Sequence, residues 1–91
     1  MKFSLGRVVW TRGVNDLVAV DSSFAKFVMD SLKRHANCDW GDVSDEDKRE
    51  NDFSMDKGLR LLSSYQHDDI KIWIITEADR SATTILFPEE Y

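Results

Sequence analysis

The stretch "LRLLSSYQHDDIKIWIITEADRSATTILFP", residues 59–88, contains three runs rich in β-branched, aliphatic and aromatic residues. Short polar segments, "HDD" and "DRS", separate the runs. Loops of this length join consecutive strands as antiparallel hairpins. We therefore predict three neighbouring antiparallel strands in the C-terminal third of the chain. The predicted strands are 59–66, 70–78 and 82–88.

The middle strand indicates which side of this sheet is the core face. Successive side chains of a strand point to opposite faces, so alternate residues share a face. One side of the strand consists of Ile70, Ile72, Ile74 and Thr76. The other side is mixed and consists of Lys71, Trp73, Ile75 and Glu77. We expect the first side to be buried and the second to be partly covered or partly wet.

Upstream of the hairpins, the sequence predicts another strand and a helix. The segment "GRVVWT", residues 6–11, alternates like a short strand, and "RGVND" after it has turn residues. Residues 21–37 carry an apolar stripe through Phe24, Val28 and Leu32, with the spacing of an amphipathic helix. This part of the chain supplies a probable fourth strand and the first main helix.

A second helix is predicted at residues 45–57. Ser44 precedes it as a capping residue, and Gly58 follows it as a C-terminal glycine. Its only bulky apolar residues are Phe53 and Met55, which are two apart and cannot form one stripe. Either the helix packs loosely, or some of its polar residues point inward. The candidates on one face are Asp47, Asn51 and Ser54.

The negative charge of the chain is concentrated in one segment. Residues 39–57 contain eight acidic and three basic residues, which accounts for the whole net charge of −5. No basic stripe remains to neutralise phosphates, so direct nucleic-acid binding is disfavoured. The segment is instead the candidate surface for a protein partner. Its candidate binding residues are Asp39, Trp40, Asp42, Asp45, Glu46 and Glu50.

These features together predict one α+β domain spanning residues 1–91. Two main helices would pack on one face of an antiparallel sheet of three to four strands. The single Cys38 excludes an intrachain disulfide and favours a reducing compartment. No apolar run is long enough for a signal peptide or a membrane span, so we expect a cytoplasmic protein without a membrane partner.

No motif of metal, cofactor or catalytic chemistry is complete. The acidic segment lacks the ligand spacing of a calcium loop, and His35 with Cys38 lacks the second ligand pair of a zinc site. Cys38 and His35 could form a nucleophile–base pair, but the sequence shows no recognisable oxyanion hole for it. We expect no metal, no cofactor and no catalytic residue. Trp40 is interpreted as a core plug, with an interface anchor as the alternative.

Three segments resemble a family of short bacterial "plasmid-related" proteins found on plasmids, phages and genomic islands. They are "RHANCDWGDVSDEDKREND", "GLRLLSSY" and "KIWIITEADRSATTILFPEEY", and they match the family strongly over residues 34–91. The family pattern runs RHxxGDWG, DKxxN, KIWIITEADRSxTT and PxEY. The matching positions are Arg34, His35, Asp39, Trp40, Gly41, Asp47, Lys48, Asn51, Trp73, Thr76, Glu77, Asp79, Arg80, Thr83 and Thr84.

The resemblance adds two expectations. Cys38 stands where the family has Gly, so a positive φ at this position would strain the cysteine. The matched polar residues are expected to act together as a polar network between the second helix and the sheet, either as a site or as a structural strut. The network consists of His35, Asp47, Asn51, Glu77 and Arg80.

The leading functional hypothesis is a non-catalytic interaction protein of mobile genetic elements that acts through its acidic face. Inhibition of a host defence system, such as an anti-CRISPR activity, is one concrete form. The alternative is a small enzyme or small-ligand binder, with its site at Asp47, Asn51, Glu77 and Arg80. A concave pocket lined by those side chains would distinguish the alternative from the leading hypothesis.

Overall fold

The computed structural model describes residues 2–91 and has three α-helices and a four-stranded sheet. The α+β class is thereby confirmed. The helices pack against the sheet, and a short 3-10 turn, Pro88–Glu90, follows the last strand. The elements in chain order are β1 (Arg7–Trp10), α1 (Arg12–Val20), α2 (Ser22–Ala36), α3 (Asp45–Lys57), β2 (Leu61–His67), β3 (Ile70–Thr76) and β4 (Ala82–Leu86).

The strand order in the sheet is β1-β4-β3-β2. The two predicted hairpins are confirmed, since β3 pairs antiparallel with both β2 and β4. In their register, Ile74 lies opposite Ser63 on one side and Ile85 on the other. The prediction of a wholly antiparallel sheet is wrong for β1, which pairs parallel with β4. Alternation within a short strand indicates its faces, but it does not specify the direction of a long-range pairing.

The segment "RGVND" is the first turn of α1 and not a loop. Thr11 makes no side-chain cap for this helix, so the local sequence lacks a start signal. The Glu90 carboxylate supplies the missing acceptor, because it receives the Thr11 hydroxyl at 2.6 Å and the Gly13 N–H at 3.1 Å. A third helix is therefore present, and its capping group comes from the opposite end of the chain.

Helices α1 and α2 cover the predicted core face of the sheet. Ile72, Ile74 and Thr76 are fully buried, which confirms this face of β3. Helix α2 begins at the capping residue Asp21, whose carboxylate accepts from two backbone N–H groups. The central cluster is apolar apart from one phenol, and its buried members are Val14, Phe24, Val28, Tyr65, Ile72, Ile74 and Ile85.

Candidate functional site

Helix α3 begins and ends as its sequence predicts. The Ser44 hydroxyl accepts from the Asp47 N–H at 3.1 Å, and Gly58 closes the helix in the left-handed conformation with φ 67°. Acidic residues in the first turn stabilise the positive end of the helix dipole. The acidic sequence is thus compatible with a well-formed helix.

The inner face of α3 is polar, and it seals the outer edge of β2. Asn51 donates from Nδ2 to the Leu62 carbonyl at 2.7 Å and accepts from the Leu62 N–H at 3.2 Å. Both Asn51 and Ser54 are buried, so the prediction that polar residues point inward is confirmed for these two. Asp47 is exposed and does not share their environment.

Arg80 ties the end of α3 to the turn between β3 and β4. Its guanidinium donates to the carbonyls of Ser54 at 3.2 Å and Leu59 at 2.6 Å, and also to those of Glu77 and Ala78. All four of these hydrogen bonds are accepted by backbone carbonyls. Arg80 therefore acts as a structural clamp.

Trp40 is the core plug that the sequence favours. Its side chain is only 3% exposed, and its indole N–H donates to the Asp52 carboxylate at 3.0 Å. The ring lies against His35 and Phe3, with centroid distances of 5.6 and 6.2 Å. Trp40 was also a candidate partner-binding residue. Because its indole is buried, it has almost no exposed surface with which to contact a partner.

The loop after Trp40 adds a second cover to the edge of β2. Gly41 bridges to Ser64, and the Asp42 N–H donates to the Ser64 carbonyl at 2.7 Å. Gly41 has φ 75°, and a Cβ atom there would lie 2.0 Å from the Ser64 carbonyl oxygen. Only glycine fits this close approach between the two backbones.

Asp39, another candidate for partner binding, is engaged inside the chain. Both of its carboxylate oxygens accept from the Arg34 guanidinium, at 2.7 and 3.1 Å. This hydrogen-bonded ion pair lowers the pKa of the Asp39 carboxyl. Arg34 also lies over the Tyr65 ring at 4.9 Å, so the pair fixes the end of α2 against β2.

The remaining candidate carboxylates are exposed. Asp42, Asp45, Glu46 and Glu50 make no side-chain hydrogen bond or ion pair with any residue in the described part of the chain. Phe53 accompanies them on α3 with 56% of its surface exposed. We call these five residues the acidic face. The exposure of Phe53 was not predicted, although its two-residue separation from Met55 already implied that both could not be buried together.

His35 is completely buried at the centre of a chain of hydrogen bonds. Its Nε2 lies 2.8 Å from the Thr76 hydroxyl, and the Thr76 hydroxyl lies 2.8 Å from that of Thr83. Thr83 donates its proton to the Leu5 carbonyl, which can only accept. Thr76 must therefore donate to Thr83, and His35 must donate from Nε2 to Thr76.

The other ring nitrogen of His35 follows from this order. Nδ1 carries no proton in the neutral Nε2–H tautomer, so it accepts from the Ser63 hydroxyl at 2.5 Å. Burial lowers the pKa of His35 from 6.5 to about 4, which agrees with a neutral ring. The chain joins α2, three strands and the N-terminal segment, and it is a structural network.

The five residues of the predicted polar network do not form one site. Among the described residues, no side-chain hydrogen bond joins any two of their side chains. His35 belongs to the buried chain, whereas Asn51 and Arg80 bind backbone groups, and Asp47 and Glu77 are exposed. The contacts of His35, Asn51 and Arg80 match the structural-strut alternative.

A shallow cleft of about 290 Å³ borders α3 on the mixed face of the sheet. Asp47 and Asn51 line it, but Glu77 and Arg80 do not. Every buried side-chain nitrogen or oxygen in the described part of the chain has a hydrogen-bond partner. No buried polar group is thus left unpaired to receive a ligand in this cleft. Its other lining residues are Glu50, Arg60, Leu62 and Tyr91.

Cys38 has φ 63°, so the strain expected at this position is present. Its thiol contacts the Met55 sulfur at 3.2 Å, and burial raises its pKa. Within residues 2–91, no group of three or more His, Cys, Asp or Glu side chains is placed to hold a metal ion. No helix among these residues is long and apolar enough to cross a membrane.

No protein-family model matches this chain, and no curated protein or solved structure matches it significantly.

Proposed function

We propose that this chain is a non-catalytic interaction protein of mobile genetic elements that binds a protein partner through the acidic face. The observation that carries the proposal is the difference between the buried and the exposed sides of α3. Asn51 and Ser54 face the body and are buried, whereas the carboxylates of the acidic face make no internal contacts in the described residues. The helix is thus held in place by one side and free on the other.

The charge of this surface favours a basic partner. The segment from Asp39 to Lys57 carries the entire net charge of −5, which concentrates a negative potential at one edge of the molecule. Such a potential speeds encounter with a complementary surface and disfavours partners of like charge. A Lys- or Arg-rich protein surface is therefore the expected contact.

Phe53 is the expected anchor of the contact. Phe53 is 56% exposed, and the Lys57 ammonium lies 5.9 Å from the centroid of its ring. Large aromatic side chains at the centre of a patch dominate many interfaces when a partner pocket buries them. The expected partner site is an apolar pocket surrounded by basic residues.

Inhibition of a host defence system is the concrete form that we propose. A nucleic-acid channel of a CRISPR complex is strongly basic, and an acidic protein face can compete with nucleic acid for it. The resemblance to proteins of plasmids and phages supports this form. The alternative, a small enzyme or ligand binder, receives less support because Asn51 and Arg80 use their polar groups on backbone partners.

Affinity purification from the native host, followed by mass spectrometry, tests the proposal. The bait variant replaces Asp45, Glu46 and Glu50 by Lys, and a control triple replaces exposed acids elsewhere. The two triples change the net charge equally, so only the position of the change differs. The control triple consists of Asp69→Lys, Glu77→Lys and Glu89→Lys.

We expect the wild type and the control triple to recover the same partner at low salt, and the α3 triple to lose it. Phe53→Ala is expected to weaken the complex, whereas Met29→Ala, at a residue of similar exposure on α2, leaves it unchanged. Recovery of no partner, or of one that the α3 triple retains, contradicts the proposal.

A further inference from the structure

The two edges of the sheet differ in how they are covered. At the β2 edge, Asn51 occupies both backbone groups of Leu62, and the loop at Trp40 and Asp42 occupies those of Ser64. At the β1 edge, all four strand residues are exposed, and no further strand lies beyond it in the described part of the chain. An uncovered edge strand is a template for pairing with another strand.

The backbone groups on this open edge belong to Val8 and Trp10. The N–H groups of Arg7 and Thr11 point the other way, because each donates to a carbonyl at the β4 side at 3.0 Å. Successive residues of a strand direct their N–H and C=O groups to opposite edges. Val8 and Trp10 therefore turn two donors and two acceptors outward.

We propose that β1 pairs antiparallel with β1 of a second copy of this chain, about a two-fold axis at Val9. In this register, Val8 lies opposite Trp10 of the second copy, and each such pair exchanges two backbone hydrogen bonds. The axis produces the pair twice, so four hydrogen bonds join the copies. The two sheets become one continuous sheet of eight strands, with Val9 packed on its own symmetry mate.

The side chains on the mixed face are complementary in charge under the same symmetry. Arg7 lies directly opposite Thr11 of the second copy, and both residues share a face with Val9. The Thr11 hydroxyl holds the Glu90 carboxylate at 2.6 Å. The Arg7 guanidinium therefore reaches Glu90 of the second copy, and the axis repeats this ion pair. The hydrogen bonds from Thr11 and from the backbone N–H of Phe87 lower the pKa of Glu90, so its carboxylate is charged at neutral pH.

The proposed dimer leaves no open sheet edge and keeps the two acidic faces apart. Since the β2 edge is covered, a copy has one open edge, and pairing ends at a dimer instead of continuing as a filament. Helix α3 flanks β2, at the opposite end of the sheet from β1. The two acidic faces consequently lie at the far ends of the dimer. The contact is small, so the dimer is expected to be weak and reversible.

Sedimentation velocity of the wild type from about 5 µM to about 500 µM tests the proposal, with dimer expected to form over this range and to weaken as salt is added. Val8→Pro removes only an outward N–H and places the ring against the incoming strand. It is expected to be monomeric throughout, with the circular dichroism spectrum of the wild type.

Two charge variants make the test independent of how well Val8→Pro folds. Arg7→Glu should weaken the dimer at least about tenfold by placing two acids together. Arg49→Glu, at an exposed position on α3, makes the same change of −2 in net charge and should leave the dimer unaffected. The proposal is overturned if the wild type stays monomeric over this range. It is also overturned if folded Val8→Pro still forms the dimer, or if Arg7→Glu dimerises as strongly as the wild type.

Discussion

The carboxamide of Asn51 binds the backbone of Leu62 as a neighbouring strand would, donating to its carbonyl and accepting from its N–H. This relationship explains how a helix with almost no apolar face docks on the sheet. The edge of β2 supplies backbone groups that need partners, and α3 supplies a side chain with matching geometry. The Asp52 carboxylate also takes part by accepting from the Trp40 indole N–H. The carboxylates of the acidic face are not used in docking and remain available for a partner.

Asn51→Ala should destabilise the protein by about 1–3 kcal/mol, because it leaves both backbone groups of Leu62 without a protein partner. Glu50→Ala, at the preceding residue of the same helix but exposed, should change the stability by less than about 0.5 kcal/mol. Urea unfolding followed by tryptophan fluorescence measures both. Equal effects from the two variants would show that the carboxamide does not hold the helix.

Gly41→Ala and Gly58→Ala separate steric fit from backbone conformation. Both glycines have positive φ, but a Cβ at Gly41 meets the Ser64 carbonyl, whereas one at Gly58 meets no atom within 4 Å. Gly58→Ala should therefore cost about 1 kcal/mol, and Gly41→Ala several-fold more. Thermal unfolding of the two variants checks the order. Similar melting temperatures would mean that the loop can move away from β2.

Cys38 has a left-handed backbone that favours glycine. Cys38→Gly should be more stable than Cys38→Ala by about 1 kcal/mol, because both variants lose the thiol but only glycine relieves the conformation. The comparison cancels the lost contact with Met55. Chemical denaturation of the two variants gives the difference directly, and an alanine variant as stable as the glycine variant would contradict the assigned backbone.

Because His35 is buried as a neutral ring, we predict that the protein loses stability in mild acid. Its folded pKa of about 4 lies below the usual 6.5, so the unfolded chain binds the proton first as the pH falls. The contribution is complete above pH 6.5 and decreases as the pH falls toward 4. From pH 7 to pH 5 the free energy of unfolding should drop by about 2 kcal/mol.

His67→Gln is the control for this loss, since it removes the other histidine of the chain at an exposed position. Nitrogen-15 NMR should show His35 as the neutral Nε2–H tautomer down to about pH 5. Titration of His35 near 6.5, or an Nδ1–H tautomer, would contradict the order of the buried hydrogen bonds.

The parts of the fold that local sequence specifies were predictable. Alternation in residues 70–76 identifies the core face, and Ser44 with Gly58 marks the ends of α3, because strand periodicity and helix capping act between near neighbours. The sparse apolar pattern of α3 also indicated that polar groups point inward. The inward orientation of Asn51 follows from that pattern.

The parts that depend on distant residues were not predictable. Helix α1 has no local cap, and Glu90 reaches it only after the sheet has formed. The parallel direction of β1 depends on its pairing with β4, which lies far along the chain. The candidate site changed for the same reason, since Asp39 and Trp40 are engaged internally while Phe53 is exposed.

We propose above that the acidic face contacts a basic protein surface. Carbodiimide cross-linking of the purified complex tests it most directly, because the reagent joins carboxylates to lysine amines that are in contact. We predict cross-links from Asp45, Glu46 or Glu50 to lysines of the partner, with Phe53 in the same contact. Cross-links to the partner from Asp16, Asp69 or Glu89 alone, and none from α3, would contradict this contact.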